Sequence, residues 1–199
     1  MNNIDYLYTV YNNVLDMLLD RKYKVPKSVS LSFKEFKKKY ITNNYNITLT
    51  HTQSGHKIYV VFNLHSKSKL QHIKQLLVDT YDTYPIDTTD VILILPKKPN
   101  NIIKKFIHKS IYHDKVELFW LSILQINITR HILQPKFRLL QEEEKKHILQ
   151  KYNITIQQLP KMSITDPISK YYKYPKYSIV EIIRTSRDCI SSMSYRYVS

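Results

Sequence analysis

The chain has 199 residues and carries 31 lysines and arginines against 16 aspartates and glutamates, which gives a formal net charge of +15. Hydrophobic residues make up 43% of it, enough for a buried core, so the composition excludes full disorder, and the length fits one domain or two small ones. Its single glycine, Gly55, excludes the glycine-rich P-loop and the Rossmann fingerprint. Its single cysteine, Cys189, excludes an internal disulfide, a CxxC redox pair and a cysteine-based zinc finger, and we expect an inert thiol there.

The charge and the apolar pattern bear on partners and location. A net charge of this size favours a polyanionic partner such as nucleic acid, with a solvated lysine-rich surface as the alternative. The first residues lack the basic and then apolar pattern of a secretory signal, and no stretch approaches ~18 apolar residues. We therefore expect a protein that is not secreted and has no contact with a membrane.

The first part of the chain alternates between helical and strand patterns. Residues 4–19 predict an amphipathic helix, and residues 32–40 predict a short basic helix. Ser32 and Glu35 are predicted to cap its N-terminus with a capping box. Further on, the pattern predicts strands over 47–50, 56–64, 91–95 and 116–119, and helices over 67–81 and from Pro99, in the first helical turn, to Ile107. Helices between successive strands predict right-handed crossovers and a mainly parallel, buried sheet.

The second part begins near residue 130, so we divide the chain into domains 1–130 and 131–199. Residues 141–152 predict a helix with three glutamates at its start, the favourable end of the helix dipole. Asp166 is predicted to cap a short helix that has Pro167 as its first residue. The pattern also predicts two strands, over 178–184 and 194–198.

A series of short motifs in this second part shares its order and spacing with a known family. The motifs are His131, Pro135, Leu149-x-Lys151-Tyr152, Gln158-Leu159-Pro160, Asp166-Pro167, Lys170-Tyr171, Ile179-Val180-x-Ile182-Ile183-Arg184-x-Ser186 and Tyr195-Arg196-x-Val198. This pattern resembles the assembly domain shared by the fifth common subunit of the eukaryotic nuclear RNA polymerases and its shorter archaeal counterpart. Upstream, Asp20-Arg21-x-Tyr23-x-Val25 and Ile126-Asn127-Ile128-Thr129-x-His131 are similar to the full-length eukaryotic form, which extends the resemblance over essentially the whole chain.

The resemblance implies a fold and a function. The fold would be an α/β N-terminal jaw domain, restriction-endonuclease-like but inactive, followed by a small α+β C-terminal assembly domain with a mixed sheet. The function would be that of a non-catalytic subunit of a multisubunit DNA-directed RNA polymerase, without a cofactor, a metal site or catalytic residues of its own. Its partners would be the largest polymerase subunit, neighbouring small subunits and the downstream double-stranded DNA beside the jaw.

Candidate interaction residues follow from this resemblance together with the clustering of charge. The candidates for binding a partner subunit are Asp166, Pro167, Tyr171, Arg184, Tyr195 and Arg196. The candidates for facing DNA are Lys34, Lys37, Lys38, Lys97, Lys98 and Lys104. Lysines can hold a duplex through its phosphates without reading its bases. Helix capping alone would also explain Asp166, and solubility alone would also explain the lysines.

The residues are also compatible with two other functions. One is a free-standing basic protein that binds double-stranded DNA. The other is a Mg-dependent nuclease built on Asp87, Asp90 and Lys97 or Lys98, although no acidic-x-Lys triplet ends a predicted core strand. Histidine pairs at 51 and 56 and at 108 and 113 are five residues apart, which does not match the i, i+4 spacing of metal-binding pairs on a helix.

The chain departs from the family pattern at three positions. Lys173 and Tyr177 stand where the family usually has glycine, which predicts either a changed turn or a strained backbone costing on the order of 1–3 kcal/mol per position. Lys170 stands where the family commonly has arginine, and lysine cannot form the same two-pronged ion pair. The AT-rich character of the composition fits a large DNA virus, with the host cytoplasm and the virion as locations, or a eukaryote, with the nucleus.

Overall fold

The computed structural model describes residues 4–42, 45–64, 70–184 and 192–199, which form two compact units, Met1–Ile126 and Asn127–Ser199. The change between units falls close to the boundary expected at residue 130. Cys189, with its predicted inert thiol, and the predicted helix start at Lys67 lie outside the described residues.

The first unit is an α/β domain. Its helices are α1 (Ile4–Asp20), α2 (Phe33–Ile41), α3 (Leu70–Thr83), α4 (Asn101–Lys109) and α5 (Leu121–Leu124). Its strands are β1 (Tyr23–Lys24), β2 (Ile47–His51), β3 (Lys57–Phe62), β4 (Thr89–Leu95) and β5 (Val116–Trp120), which form one sheet in the order β1-β2-β3-β4-β5. Strands β3, β4 and β5 are parallel, as predicted, whereas β1, β2 and β3 pair antiparallel.

The core of this unit lies on both faces of the interior strand β4, whose residues 91–95 are at most 1% exposed. Helices α3 and α4 cover one face, where Ile73 and Ile103 pack in the cluster that contains Leu93. On α1, apolar side chains recur every three or four residues and are buried as a stripe. The ring of Tyr11 stacks on that of Phe62, with centroids 6.0 Å apart, so α1 packs at the carboxyl end of β3.

Local capping signals account for the starts of α2 and α4, with one correction for α4. The predicted capping box of α2 is confirmed: the Glu35 carboxylate accepts a hydrogen bond of 2.8 Å from the Ser32 N–H, and the Ser32 hydroxyl accepts one of 3.4 Å from the Glu35 N–H. The prediction that Pro99 lies in the first turn of α4 is wrong. The side chain of Asn100 caps that helix by accepting a hydrogen bond of 2.9 Å from Ile103 N, so Pro99 precedes the cap.

The second unit is α+β with a mixed sheet, as expected. It contains helices α6 (Glu142–Tyr152) and α7 (Pro167–Tyr172) and strands β6 (Lys136–Leu139), β7 (Lys161–Met162), β8 (Ile179–Arg184) and β9 (Ser192–Val198). The strand order is β6-β8-β9-β7, with β7 parallel to β9 and the other pairs antiparallel. The pattern did not predict β6 or β7, because strands of four and two residues are too short to show a period.

The turn between α7 and β8 keeps the backbone that glycine favours. Lys173 ends α7 at φ 54°, and Tyr177 precedes β8 at φ 65°, both in the left-handed region. Of the two possibilities, a changed turn or a strained backbone, the structure therefore shows the second. The N–H of Tyr177 donates a hydrogen bond of 2.8 Å to the Val198 carbonyl, which ties this strained residue to the sheet.

Replacing Tyr177 by glycine is expected to raise the free energy of unfolding by about 1 kcal/mol, because glycine enters this region without the Cβ clash. The side chain is 59% exposed, so little packing is lost. Chemical denaturation of the purified chain measures the change. Lys176→Gly is the matched control: Lys176 has no positive φ, so glycine there should lower stability by about 0.5–1 kcal/mol. A loss for Tyr177→Gly as large as for Lys176→Gly would contradict the strain.

Candidate docking and nucleic-acid interfaces

The first three candidate docking residues lie on α7. Asp166 caps this helix by accepting a hydrogen bond of 2.9 Å from Ile168 N, and Pro167 is its first residue, so both predicted local roles are confirmed. Tyr171 is only 6% exposed, and its hydroxyl accepts a hydrogen bond of 3.4 Å from Asn127 Nδ2. Tyr171 therefore supports the surface of the unit from inside and offers little of its own area to a partner. A partner contact by these three residues stays a prediction.

The other three candidates lie on β8 and β9 but do not share one face. Successive residues of a strand point to opposite faces, so Tyr195 and Arg196 are on different sides of the sheet. Arg196 pairs with Val180, and Arg184 is four residues further along β8 on the same face, roughly 13 Å away. Both arginines are exposed, whereas Tyr195 is half-buried on the side covered by α6. The structure thus brings Arg184 and Arg196 onto one face and turns Tyr195 away from it.

Tyr195 belongs to a charged network that sequence reasoning missed. Glu181, 7% exposed, accepts a hydrogen bond of 2.9 Å from Arg138 Nε and one of 3.4 Å from the Tyr195 hydroxyl. Arg138 also donates from Nη1 to Glu144 Oε1 at 2.6 Å. These bonds raise the pKa of Arg138, while burial and the nearby Glu181 charge raise that of Tyr195. The available signal was Glu181 itself, a carboxylate within an apolar strand, which needs such partners when it is buried.

The ion pair of Glu144 makes the stability of the second unit depend on pH. The Arg138 hydrogen bond, and then that of the Gln141 N–H, hold the pKa of Glu144 below its ordinary 4.5. A lowered carboxyl pKa adds stability above the unfolded-state value, and this stability is lost as the pH falls through the folded-state value. We expect the melting temperature of the wild type to fall more steeply below pH 4.5 than that of Glu144→Gln. Parallel slopes in melts from pH 6 to pH 3 would contradict this expectation.

One group of candidate DNA-facing lysines lies on α2. Lys34, Lys37 and Lys38 are all exposed, and their spacing of three and four residues puts them on one side of the helix. The opposite side carries Phe36, which is 1% exposed. Helix α2 therefore presents a basic surface and is held in place by one buried ring.

The second group lies at the carboxyl edge of the parallel strands. Lys97 and Lys98 follow β4 after Pro96, and Lys104 is in the first turn of α4, which starts at the same edge. All three are exposed, and Lys98 Nζ lies 6.0 Å from the ring centroid of Trp120, the last residue of β5. Open α/β sheets bind their ligands at this edge, so these cations are well placed for an anionic partner.

The candidate nuclease residues are held apart. Asp90 is near the start of β4, with its carboxylate 3.8 Å from Lys115 Nζ, and that ammonium also donates to the Asp87 carbonyl at 3.2 Å. Lys97 follows the other end of the strand, roughly 20 Å away at 3.3 Å per residue. In the part of the chain that the structure describes, no three His, Cys, Asp or Glu side chains cluster as metal ligands.

The described helices include none long and apolar enough to cross a membrane.

The geometry defines a class of protein: two compact units with exposed lysines and arginines, suited to association with other macromolecules. Two family models match, "RNA polymerase Rpb5, N-terminal domain" over residues 2–79 and "RNA polymerase Rpb5, C-terminal domain" over residues 126–198. The chain belongs to the Rpb5 family of RNA polymerase subunits.

Two cellular relatives extend this match over at least 96% of the chain. The chain is 32% identical to DNA-directed RNA polymerase V subunit 5A of Arabidopsis thaliana, over 96% of this chain and 87% of the relative. It is 27% identical to the subunit rpabc1 of RNA polymerases I, II and III of Dictyostelium discoideum, over 98% of both. A putative DNA-directed RNA polymerase subunit of Invertebrate iridescent virus 6 is 39% identical over 93 residues, which is 42% of this chain and 48% of the relative.

Proposed function

We propose that this chain is a non-catalytic subunit of a multisubunit DNA-directed RNA polymerase and acts in transcription. The observation that carries the proposal is the similarity from end to end: both Rpb5 domains match, and the polymerase subunits of two distant organisms align with at least 96% of the chain. Such a subunit contributes binding surfaces, and nucleotidyl transfer belongs to other chains of the assembly.

We propose further that the second unit anchors the chain to the largest polymerase subunit, close to neighbouring small subunits. The exposed face that carries Arg184 and Arg196 supports this role, because arginine is enriched in protein interfaces and pairs well with carboxylates. Asp166 and Pro167 start α7, which packs through Ile168 on the same face of the sheet, against Val180 and Val198.

The first unit is proposed to be the jaw, of restriction-endonuclease-like topology, that lies beside downstream duplex DNA. Support comes from the two exposed lysine groups, on α2 and at the carboxyl edge of the sheet, together with the net charge of +15. Phosphate contacts from such lysines would hold DNA of any sequence, which suits a polymerase moving along its template.

Purification of the tagged chain from cells that express it, under native conditions and with mass spectrometry of the eluate, tests the assignment. The expected result is recovery of the large polymerase subunits near one-to-one with the chain. Elution alone, or with nucleic acid only, would overturn the assignment and favour the free-standing DNA-binding protein. Mg-dependent cleavage of DNA that is lost in Asp90→Ala would favour the nuclease.

The DNA role has its own test in the purified assembly. Changing Lys97, Lys98 and Lys104 to glutamate is expected to lower the slope of log K for duplex DNA against log salt by roughly 2–3, at about 0.9 per lost phosphate contact. Lys57→Glu, at the opposite edge of the same sheet, is the control and should leave the slope unchanged. Equal slopes for the triple variant and the wild type would remove these lysines from the DNA surface.

Location follows from the polymerase in which the chain serves. For a large DNA virus we propose the host cytoplasm and the virion, and for a cellular eukaryote the nucleus. Imaging of the tagged chain together with a large polymerase subunit tests this, since separate distributions would contradict a common assembly.

A further inference from the structure

Strand β9 has one edge that is largely unpaired within the described residues. On one side it pairs with β8 from Ser192 to Tyr197, one residue opposite one residue and without a bulge. On the other side β7 pairs only with Tyr197 and Val198. Residues 192–196 therefore have a paired side and an open side.

The hydrogen-bond pattern shows which backbone groups point to the open side. Val198 N donates to Ser178 O at 2.9 Å, towards β8, whereas Tyr197 N donates to Pro160 O at 3.0 Å, towards β7. Because these directions alternate along a strand, the N–H and C=O groups of Tyr195 and Met193 point in the same direction as those of Tyr197, past the end of β7. Residues 192–196 thus offer two donors and two acceptors in the spacing that a further strand would use.

Within the described residues, this edge carries one charged side chain, Arg196, and has no proline, bulge or paired strand to protect it. Natural edges are blunted by very short strands, by charged side chains, especially lysine, by proline, by bulges or by a covering element. Residues 192–196 read Ser-Met-Ser-Tyr-Arg, pair with β8 in unbroken register, and are exposed at every position except the half-buried Tyr195. An edge of this kind is suited to pairing with another chain.

The side chains beside the edge specify what that chain would contain. On one face of the sheet lie Arg184 and Arg196, separated by small serines. On the other face Met193 is 63% exposed, and Tyr152 of α6, 52% exposed, lies with its ring centroid 6.3 Å from that of Tyr195. A strand beside β9 would place alternate side chains against the two arginines and against this apolar group.

We propose that an extended segment of a partner polymerase subunit, with acidic and apolar residues in alternation, adds to this sheet as a strand along residues 192–196. Main-chain hydrogen bonds to Met193 and Tyr195 supply the pairing, and the two arginines with the exposed Met193 and Tyr152 select the sequence. This inference rests on the proposed function. The proposed function assigns docking to the second unit as a whole, and the inference narrows it to the edge of β9.

Hydrogen exchange of the full chain, free and within the native assembly purified through its tag, measures the pairing directly. Fragments that contain residues 193 and 195 should exchange about tenfold or more slowly in the assembly than in the free chain. Recovery of the large subunits with unchanged exchange at these residues would overturn strand addition and leave the proposed function standing. Failure to recover any large subunit would overturn both.

Variants provide a second test. Met193→Pro removes an N–H that points to the open side and keeps the ladder to β8, so we expect about tenfold less recovered partner at unchanged melting temperature. Met193→Ala keeps that N–H and should retain most of the partner. Arg196→Glu should reduce recovery, whereas Lys146→Glu, an equal charge change on exposed α6, should not. Full recovery of the partner with both Met193→Pro and Arg196→Glu would overturn the proposal. If Met193→Pro does not fold, the partner recovery of Arg196→Glu and the hydrogen exchange of the wild type provide the test.

Discussion

Replacing Arg21 by alanine is expected to lower the free energy of unfolding by about 3–5 kcal/mol, the range for breaking a buried ion pair. The Arg21 side chain, directly after α1, is 4% exposed, and its Nη1 and Nη2 donate to the two carboxylate oxygens of Glu117 on β5 at 3.0 and 2.8 Å. The Glu117 side chain is 17% exposed, so the carboxylate that loses its forked partner gains little water in return. Urea unfolding of the purified chain at pH 7 gives the value.

Conservative variants separate the fork from the charge. Arg21→Lys keeps the charge but cannot donate two parallel hydrogen bonds, so its stability should lie between those of the wild type and the alanine variant. Arg21→Met combined with Glu117→Leu removes both charges and should recover most of the loss, since apolar replacements of a buried pair are often neutral. A loss below about 1 kcal/mol for Arg21→Ala, the size typical of exposed pairs, would show that this pair does not hold α1 to β5.

Replacing Phe36 by alanine is expected to cost about 3–5 kcal/mol, because it opens a cavity in an aromatic cluster. The Phe36 ring centroid lies 5.5 Å from that of Tyr8 and 5.1 Å from that of Tyr11, both on α1. The Tyr8 and Tyr11 hydroxyls donate to the carbonyls of Leu31 and Val29, so the same tyrosines also hold the chain that leads into α2. Burial raises the pKa of Tyr11 to about 12.

Phe33 provides the matched control on the same helix. Its ring meets Tyr8 edge to face at 5.3 Å but is 36% exposed, so Phe33→Ala should cost no more than about 1–2 kcal/mol. Denaturant unfolding of both variants gives the comparison. Equal losses of unfolding free energy would mean that the buried ring of Phe36 contributes no more than the half-exposed ring of Phe33 to holding α2, and with it the lysines on its outer side, in place.

Much of the fold could be predicted because the signals are local. Helices α1 and α2 follow from apolar spacing, α6 and α7 from the acidic and capping residues at their starts, and the parallel order of β3, β4 and β5 from the helices predicted between them. The capping box at Ser32 and the cap at Asp166 need only residues within one turn. The positive φ at Lys173 and Tyr177 could also be anticipated, because the family resemblance marked both as glycine positions.

The candidate surfaces could be predicted only in part, because side-chain direction depends on strand pairing. The sequence placed Arg184, Tyr195 and Arg196 on strands, and alternation along the strand already puts the neighbours Tyr195 and Arg196 on opposite faces. Only the register with β8 shows that Arg196 shares the face of Arg184 and that Tyr195 bonds to Glu181. The lysines at the carboxyl edge were visible as a charge cluster, whereas their position beside Trp120 depends on β4 and β5 being adjacent.

By itself, the sequence determined the basic charge, the two-part organisation, most helices and strands and the family of this protein. The charge follows from composition, and the others follow from patterns of residues that are close together along the chain. Only the tertiary structure decided which distant residues meet, such as Arg21 with Glu117 and Arg138 with Glu181. It also decided where β7 stops along β9 and so which backbone groups stay open. These outcomes depend on packing and ladder pairing between segments that are far apart in the chain, and no local pattern encodes them.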